Sequence, residues 1–420
     1  SLCVAGEVSQ LRERYHRWIY IASLMLAGEA IYLLPYIRKT FQTSLEEVFQ
    51  VSSTELGFLS SMFGILALIC YFPGGWLADR FSARRLLTLS LFATGAGGLF
   101  MLTIPSFNQM LILHAFWGIT SILTFWAALL KATRLWGTAN TQGATFGLLE
   151  GGRGAIAAIM ATIAFVAFAS ATATGTTRDG LTAVIWVYTA APLLAGLVVW
   201  FVIPDGAEFT VSFEEAKTDN PSVFQRTIRI PEVWLMAGVI LLAYLIYTGT
   251  YYFPAYAERG LGESKLFGAQ LGTFRDWLRP VAAILAGLIA DRIGISRGIS
   301  IGFAALAAFY GSLWLIPSNM SSYQLLFAQV AIISIMLFGL RGIYFALMGQ
   351  CGIPIALTGT TVGIVSVIAY TPDIFAHLIS GWFMDSYAGG DGIRYYFGFL
   401  AMVACFGFGL IRVLHDRVDH

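Results

Sequence analysis

Twelve runs of predominantly apolar residues, at about 18–36, 55–77, 86–104, 109–130, 145–168, 183–203, 233–253, 266–289, 298–317, 323–345, 359–382 and 395–413, restrict what this chain can become. Each is close to the roughly 20 residues a helix needs to cross the hydrocarbon of a bilayer. Backbone groups there have no water to bond, so a run of this length closes its hydrogen bonds on itself as a helix. Only 12% of the 420 residues are charged and 57% are hydrophobic, whereas a water-soluble chain carries roughly twice that charge. The sequence therefore predicts an all-α membrane protein of twelve transmembrane helices. A polar interval from Asp205 to Glu232, holding Pro221 and Pro231, parts six spans from six. It predicts an N-terminal bundle over 1–203, a cytoplasmic central loop over 204–232 and a C-terminal bundle over 233–420.

Basic residues set the orientation. With both termini cytoplasmic, fifteen Lys and Arg side chains fall inside and six fall outside, namely Arg38, Lys39, Arg178, Arg259, Lys265 and Arg394; positive loops stay inside. This places the chain in an inner or plasma membrane as a monomer, with its first run retained as a helix because no small-residue cleavage signature follows it. Charges nearly cancel, 25 Lys+Arg against 24 Asp+Glu, and no basic run with interleaved aromatics offers a nucleic-acid surface. Cys3, Cys70, Cys351 and Cys405 are far apart without C-x-x-C spacing or neighbouring His, so no disulfide framework, metal site or cofactor is expected. Asn319-Met320-Ser321 fits a glycosylation acceptor on the outer side, a pattern too common to decide anything.

One segment occurs twice. After the second span the chain reads Gly74-Gly75-Trp76-Leu77-Ala78-Asp79-Arg80-Phe81-Ser82-Ala83-Arg84-Arg85, and after the eighth Gly287-Leu288-Ile289-Ala290-Asp291-Arg292-Ile293-Gly294-Ile295-Ser296-Arg297. A single copy would read as a helix end and a basic turn; two copies in register indicate two related halves. The pair resembles the inter-helix motif of the major facilitator superfamily, G-x-L-A-D-R/K-x-G-R/K-R/K. Ser82 stands where that pattern prefers Gly, which suggests a looser turn; Ile289 replaces its Leu, and Arg297 alone represents its terminal basic pair. The resemblance implies two pseudo-symmetric six-helix bundles, transport by alternating access, and a gating role for Asp79, Arg80, Asp291 and Arg292. Asp79 would then meet the start of the eleventh span and Asp291 the start of the fifth. The late segments Gly352-Ile353-Pro354, Thr360-Thr361-Val362-Gly363 and Tyr370-Thr371-Pro372-Asp373-Ile374-Phe375 look similar to sugar-phosphate-permease-like and organic-anion members.

Ionisable groups inside a span cost roughly 2.5–3.5 kcal/mol each on insertion scales and face the protein interior or a watery cavity. Here they are Glu29, Glu150, Arg153, Arg275, Asp276, Arg279, Arg341, Asp373 and His377. Arg275 and Arg279 share one helical face, and Asp276, three residues before Arg279, neutralises one arginine. The other is then a planar fork for a carboxylate, phosphate or sulfonate, unless all three form an internal ion network. Arg153 is either an anion ligand opposite Arg279 or a partner of Glu150. Glu29 has no basic residue within a turn, so unless an arginine from another helix reaches it, burial suits it to carrying a proton. Asp373, with His377 at i+4, is a second relay candidate or a structural partner, and Asp276 is a third proton-coupling carboxylate. Arg341, near the inner end of its helix, snorkels or serves a cytoplasmic gate. Tyr32 and Tyr36 on the first span, and Tyr244, Tyr247 and Tyr251 on the seventh, line a cavity or anchor the membrane interface. Tyr32, Tyr244 and Tyr247 join the arginines as substrate-binding candidates, while His114, Trp117 and Trp126 read as interior packing.

These features fit a secondary active transporter for a small anionic or zwitterionic organic solute, driven by protons. An efflux transporter for drugs, amphiphiles or lipids is the alternative, against which the arginines argue. A membrane sensor or intramembrane enzyme is a third class, for which the sequence has no H-E-x-x-H, G-x-S-x-G or Walker pattern.

Overall fold

A computed structural model describes residues 2–136, 142–205, 225, 228–317, 320–344, 347–352 and 358–418. Among the described residues the regular elements are helices and no strand occurs. They are α1 (Leu2–Leu33), α2 (Arg38–Phe49), α3 (Ser53–Arg80), α4 (Ala83–Met101), α5 (Phe107–Ile122), α6 (Trp126–Trp136), α7 (Gln142–Thr174), α8 (Thr177–Val202), α9 (Pro231–Thr248), a 3-10 turn (Gly249–Tyr252), α10 (Phe253–Leu261), α11 (Lys265–Ile293), α12 (Ile295–Leu315), α13 (Tyr323–Ile343), α14 (Leu347–Gln350), α15 (Thr358–Ala369), α16 (Pro372–Ser386) and α17 (Asp391–Val418). Ten stretches among the described residues have the length and apolarity to cross a membrane. The third and eighth predicted spans complete the set by length: α4 has 19 residues and α11 has 29, about 28 and 43 Å of helix. Arg84 and Arg85 dilute the first of these, and Arg275, Asp276 and Arg279 the second.

Among the described residues, three predicted spans are discontinuous. The fourth breaks between α5 and α6, the seventh passes through the 3-10 turn between α9 and α10, and the eleventh breaks between α15 and α16. Pro372 opens α16 at its first position, where a missing N–H costs nothing. The connector after the first span is no loop; it folds as α2, which buries Arg38, Thr40, Phe41, Gln42, Ser44 and Leu45.

Packing divides the chain into two compact units, one of Ser1–Ile37 with Ile65–Val211, the other of Arg38–Gly64 with Ser212–His420. In the first, Thr94 Oγ1 of α4 meets Thr120 Oγ1 of α5 at 2.8 Å, and Ser90 Oγ of α4 meets Thr124 Oγ1, in the break after α5, at 2.6 Å. Trp117 is fully buried, its indole N–H donating to the Thr94 carbonyl at 3.1 Å, in space that a side chain at Gly97 would fill. His114 is buried with Nδ1 2.9 Å from the Met110 carbonyl. In the second unit, α12 and α17 pack through Gly398 against Trp314 and Gly407 against Phe303. Stretch 38–64 is built into this unit: Gly57 and Gly64 of α3 meet the backbone of α16 at His377 and Asp373, and Ser61 Oγ donates to the Ile374 carbonyl.

The two motif turns are closed by different chemistry. Gly294 adopts φ +94°, ψ 141° between α11 and α12, a region that favours glycine. Ser82 instead has extended backbone, and its hydroxyl caps α4 by accepting from Arg85 N at 3.2 Å. The looser turn expected there is therefore corrected to a capped one, since the hydroxyl satisfies a helix-end donor.

Candidate functional site

In the first unit, α1 and α7 bring Glu29 and Arg153 together. Arg153 Nε donates to the Gly28 carbonyl at 2.9 Å and lies 3.7 Å from Glu29 Oε2. Gly28 makes this approach possible, because a Cβ there would sit 3.0 Å from Arg153 Cδ. The guanidinium also lies over the rings of Tyr32 (5.7 Å) and Trp126 (5.8 Å), and the Tyr32 hydroxyl donates to the Ser121 carbonyl at 3.4 Å. An arginine from another helix thus reaches Glu29, the condition under which its sequence-derived fitness as a lone proton carrier lapses. The side chain of Glu150 lies outside the described residues.

In the second unit, the broken seventh span exposes carbonyls that a helix would have consumed, and Arg275 takes one of them: Nη1 donates to Thr250 O at 2.8 Å and to Lys39 O at 3.3 Å. Its Nε and Nη2 donate to Asp276 Oδ1 at 3.1 and 3.0 Å. The Lys39 ammonium lies 3.3 Å from Asp276 Oδ2, as an ion pair out of line for a hydrogen bond. Arg275 is 1% exposed with its donors occupied, so the ion-network alternative describes it. Spacing pairs Asp276 with Arg279, three residues on; the structure pairs it with its neighbour Arg275 instead. The side chains of adjacent helical residues diverge, and this contact forms because burial leaves the two charges no water to turn to.

A second cluster borders the same discontinuities. Tyr244 of α9 donates to Asp373 Oδ1 at 2.9 Å, and its ring meets Tyr370 edge-on at 4.9 Å. Arg341 of α13 lies over Tyr247 at 4.0 Å and within 5.7 Å of Tyr244. Among the described residues its Nη1 is buried without a hydrogen-bond partner. The Tyr344 and Tyr370 hydroxyls are 3.5 Å apart. Arg279, one turn past Arg275 on α11, is half-buried. His377 belongs to a neighbouring polar group, with Nδ1 2.6 Å from the Tyr252 hydroxyl and its ring stacked on Tyr251 at 5.3 Å. The structure therefore brings together Tyr244, Tyr247 and Asp373 from the predicted set, and adds Lys39, Arg341, Tyr344 and Tyr370. The i,i+3 spacing of Arg341 and Tyr344 was the available signal for two of these; Lys39 gave none, since it reads as a loop cation.

This arrangement, with buried charge beside broken helices in an all-helical membrane chain, accompanies a direct match. The profile of the Major Facilitator Superfamily covers residues 18–371. The chain belongs to the Major Facilitator Superfamily. It is similar to the inner membrane protein YqcE of Escherichia coli (strain K12), 30% identical over 389 residues that span 90% of each chain. It is also similar to the probable galactarate/D-glucarate transporter GudP of Bacillus subtilis (strain 168), 23% identical over 94% of this chain and 91% of that one. Among solved structures, a bacterial homologue of the human lysosomal transporter Spinster, inward-facing and unoccupied, matches with a TM-score of 0.75 at 15% identity over 94% of this chain and 98% of that one. That last likeness is one of fold. The chain is thus an integral, multi-pass membrane protein of a transporter superfamily, and not an enzyme.

Of the superfamily motif residues, the side chains of Asp79, Arg80 and Asp291 lie outside the described residues, as do Asn319 and the segment 353–357. Arg292 is exposed at the end of α11, and Gly74 abuts the break between α5 and α6, where a Cβ would lie 3.0 Å from Leu123 O.

Proposed function

We propose that the chain is a secondary active transporter that moves a small anionic organic solute by alternating access, coupled to protons. The observation that carries this reading is the charge beside the broken spans: Arg341 lies over Tyr247 at 4.0 Å, and Arg275 and Lys39 share the single carboxylate of Asp276, with Asp373 bonded to Tyr244 nearby. Cations in excess at membrane depth suit a cargo that brings negative charge. An amphiphile exporter has no use for such an excess, because each unbalanced charge costs desolvation. A relative named for galactarate and D-glucarate, both sugar acids, supports the same reading.

Proton coupling is assigned to Asp373, at the start of α16, rather than to Glu29, which faces Arg153. Asp373 stands at the break between α15 and α16 with the Tyr244 hydroxyl as a hydrogen-bond donor, and carboxylates inside membrane spans serve as proton relays. Both termini and the 204–232 linker are cytoplasmic in this proposal, and Asp79, Arg80, Asp291 and Arg292 gate that side. The test uses proteoliposomes. Asp373→Asn retains exchange of labelled substrate between the two sides but loses accumulation driven by a proton gradient, whereas retained proton-driven accumulation removes Asp373 from coupling. Transport of neutral or cationic amphiphiles without any organic anion favours the efflux alternative.

A further inference from the structure

We propose that Glu258 is a proton-binding site that governs how firmly α2 is held: its carboxyl keeps a proton while α2 is clasped to α10 and α11, and its ionisation releases α2. This goes beyond the coupling role given to Asp373 and does not depend on it.

Among the described residues, three side-chain contacts tie stretch 43–47 of α2 to α10 and α11. The Thr43 hydroxyl donates to Glu258 of α10, Glu46 pairs with Arg259 of α10, and Glu47 pairs with Lys265, which opens α11, at 2.5 Å. Three carboxyl groups thus share two cations. Glu46 and Glu47 take the cations, and the polar partner of Glu258 among the described residues is a neutral hydroxyl. The remaining charges on the surrounding helices are engaged elsewhere. Lys39, one turn before Thr43, faces Asp276 at 3.3 Å, and Asp276 in turn pairs with Arg275, two turns beyond Gly268 on α11. Asp391 and Arg394, at the start of α17, pair with each other at 3.1 Å. Arg341 is the one charged residue of α13 and stands at its last turn, whereas Tyr323 opens that helix against the ring of Phe267. The turn between α10 and α11 adds a further acid, Glu263, and no cation.

The carboxyl is also shut against backbone. A Cβ at Gly268 would lie 2.4 Å from Glu258 Oε1 and 3.2 Å from the Pro254 carbonyl oxygen, so α11 covers it closely. A carboxylate in such a place without a cation is costly, and the neutral acid is not. The contact with Thr43 survives in both states because a hydroxyl donates or accepts; what changes is the charge. With Glu258 protonated the clasp holds two charges of each sign. With Glu258 ionised it holds three negative against two positive, and water must reach the extra charge, which requires α2 to move off. A group that holds its proton more tightly in the packed form stabilises that form at low pH, and the contribution is lost as pH rises through its packed-form pKa. The ion pairs of Glu46 and Glu47 do not change charge over that rise, so Glu258 sets the pH response of the clasp.

The experiment is hydrogen–deuterium exchange by mass spectrometry on the purified full chain in detergent. Wild type and Glu258→Gln are compared at the same pH, so that the chemical rate of exchange cancels. At about pH 8, peptides over α2 exchange at least about threefold faster in the wild type than in Glu258→Gln; at about pH 5 the two agree, because the amide keeps the clasp neutral throughout. Infrared difference spectra between the same two pH values show a protonated-carboxyl band that the wild type loses on going to high pH and that Glu258→Gln lacks. Thr43→Val provides an arm that keeps the titrating group: the ionised form has lost its donor, so the band persists to higher pH. Equal exchange of α2 in wild type and Glu258→Gln at both pH values overturns the proposal. So does a carboxyl band indifferent to Glu258→Gln or to Thr43→Val. Neither measurement uses a solute, so either failure removes the clasp and leaves the transport reading standing.

Discussion

Asp276 accepts two N–H groups from Arg275 on one oxygen and faces Lys39 with the other, all within a few per cent exposure for the first two. Two cations share one carboxylate, so the carboxylate is what makes burial of the group tolerable. Replacing it with an amide leaves two uncompensated charges, a loss of roughly 3–5 kcal/mol. Asp276→Asn should therefore lower the thermal midpoint in detergent by several degrees, and an unchanged midpoint would mean that the ion group contributes nothing to the fold. At the surface the balance is gentler. Ser82 and Arg85 hold the Asp205 carboxyl below the usual carboxylate range, with Arg85 Nε donating at 3.0 Å. A lowered folded pKa gives a contribution present above the unfolded value near 4 and lost as pH falls through the lower folded value. The small stability advantage of the wild type over Asp205→Asn, measured by thermal unfolding across pH, should disappear at the acid end and persist at neutral pH.

At the scale of elements, buried charge collects where helices stop. The 3-10 turn after α9 frees Thr250 O for Arg275, and the break before α16 places Asp373 beside Tyr244. Irregular backbone at membrane depth survives when protein groups satisfy it, and these side chains do so. The α3–α16 seam has the opposite design: a Cβ at Gly57 would lie 2.5 Å from His377 O, and one at Gly64 3.0 Å from Asp373 O. Asp385, on α16, accepts from Ser53 N (3.2 Å) and Thr54 N (2.7 Å), capping α3. Close backbone approach of this kind is the usual role of small residues between membrane helices. Gly57→Val forces these backbones apart and should cost about 1–3 kcal/mol, seen as a lowered unfolding midpoint beside a neutral control at exposed Gly409, where a Cβ meets nothing. Equal midpoints for the two variants would show that the seam is not tightly packed.

For the whole molecule, the spans and the superfamily were legible because hydropathy acts over twenty residues and the motif repeats. Asp79 and Asp291 mark equivalent places whatever their side chains do. The site was legible only in part. Counting 1.5 Å per residue gives depth along an axis, and it marked Arg153, Arg275 and Asp373 as deep. It cannot tell which neighbour a long side chain reaches, so Arg341, near the end of α13, read as snorkelling when it stacks on Tyr247. Lys39 read as an outer-loop cation because α2 is short and polar, yet its ammonium completes a buried ion group. Those contacts are set by packing between segments far apart in the chain, which no local spacing encodes.

The central claim is that the excess of buried cations beside the broken helices serves an anionic cargo carried with protons. It is tested most directly by uptake of labelled organic anions into proteoliposomes under an imposed proton gradient. The account predicts saturable uptake of such an anion that rises with the gradient, collapses when it is dissipated, and is lost in Arg341→Gln. Uptake no greater than in protein-free liposomes for every organic anion offered, with neutral amphiphiles transported instead, would contradict it.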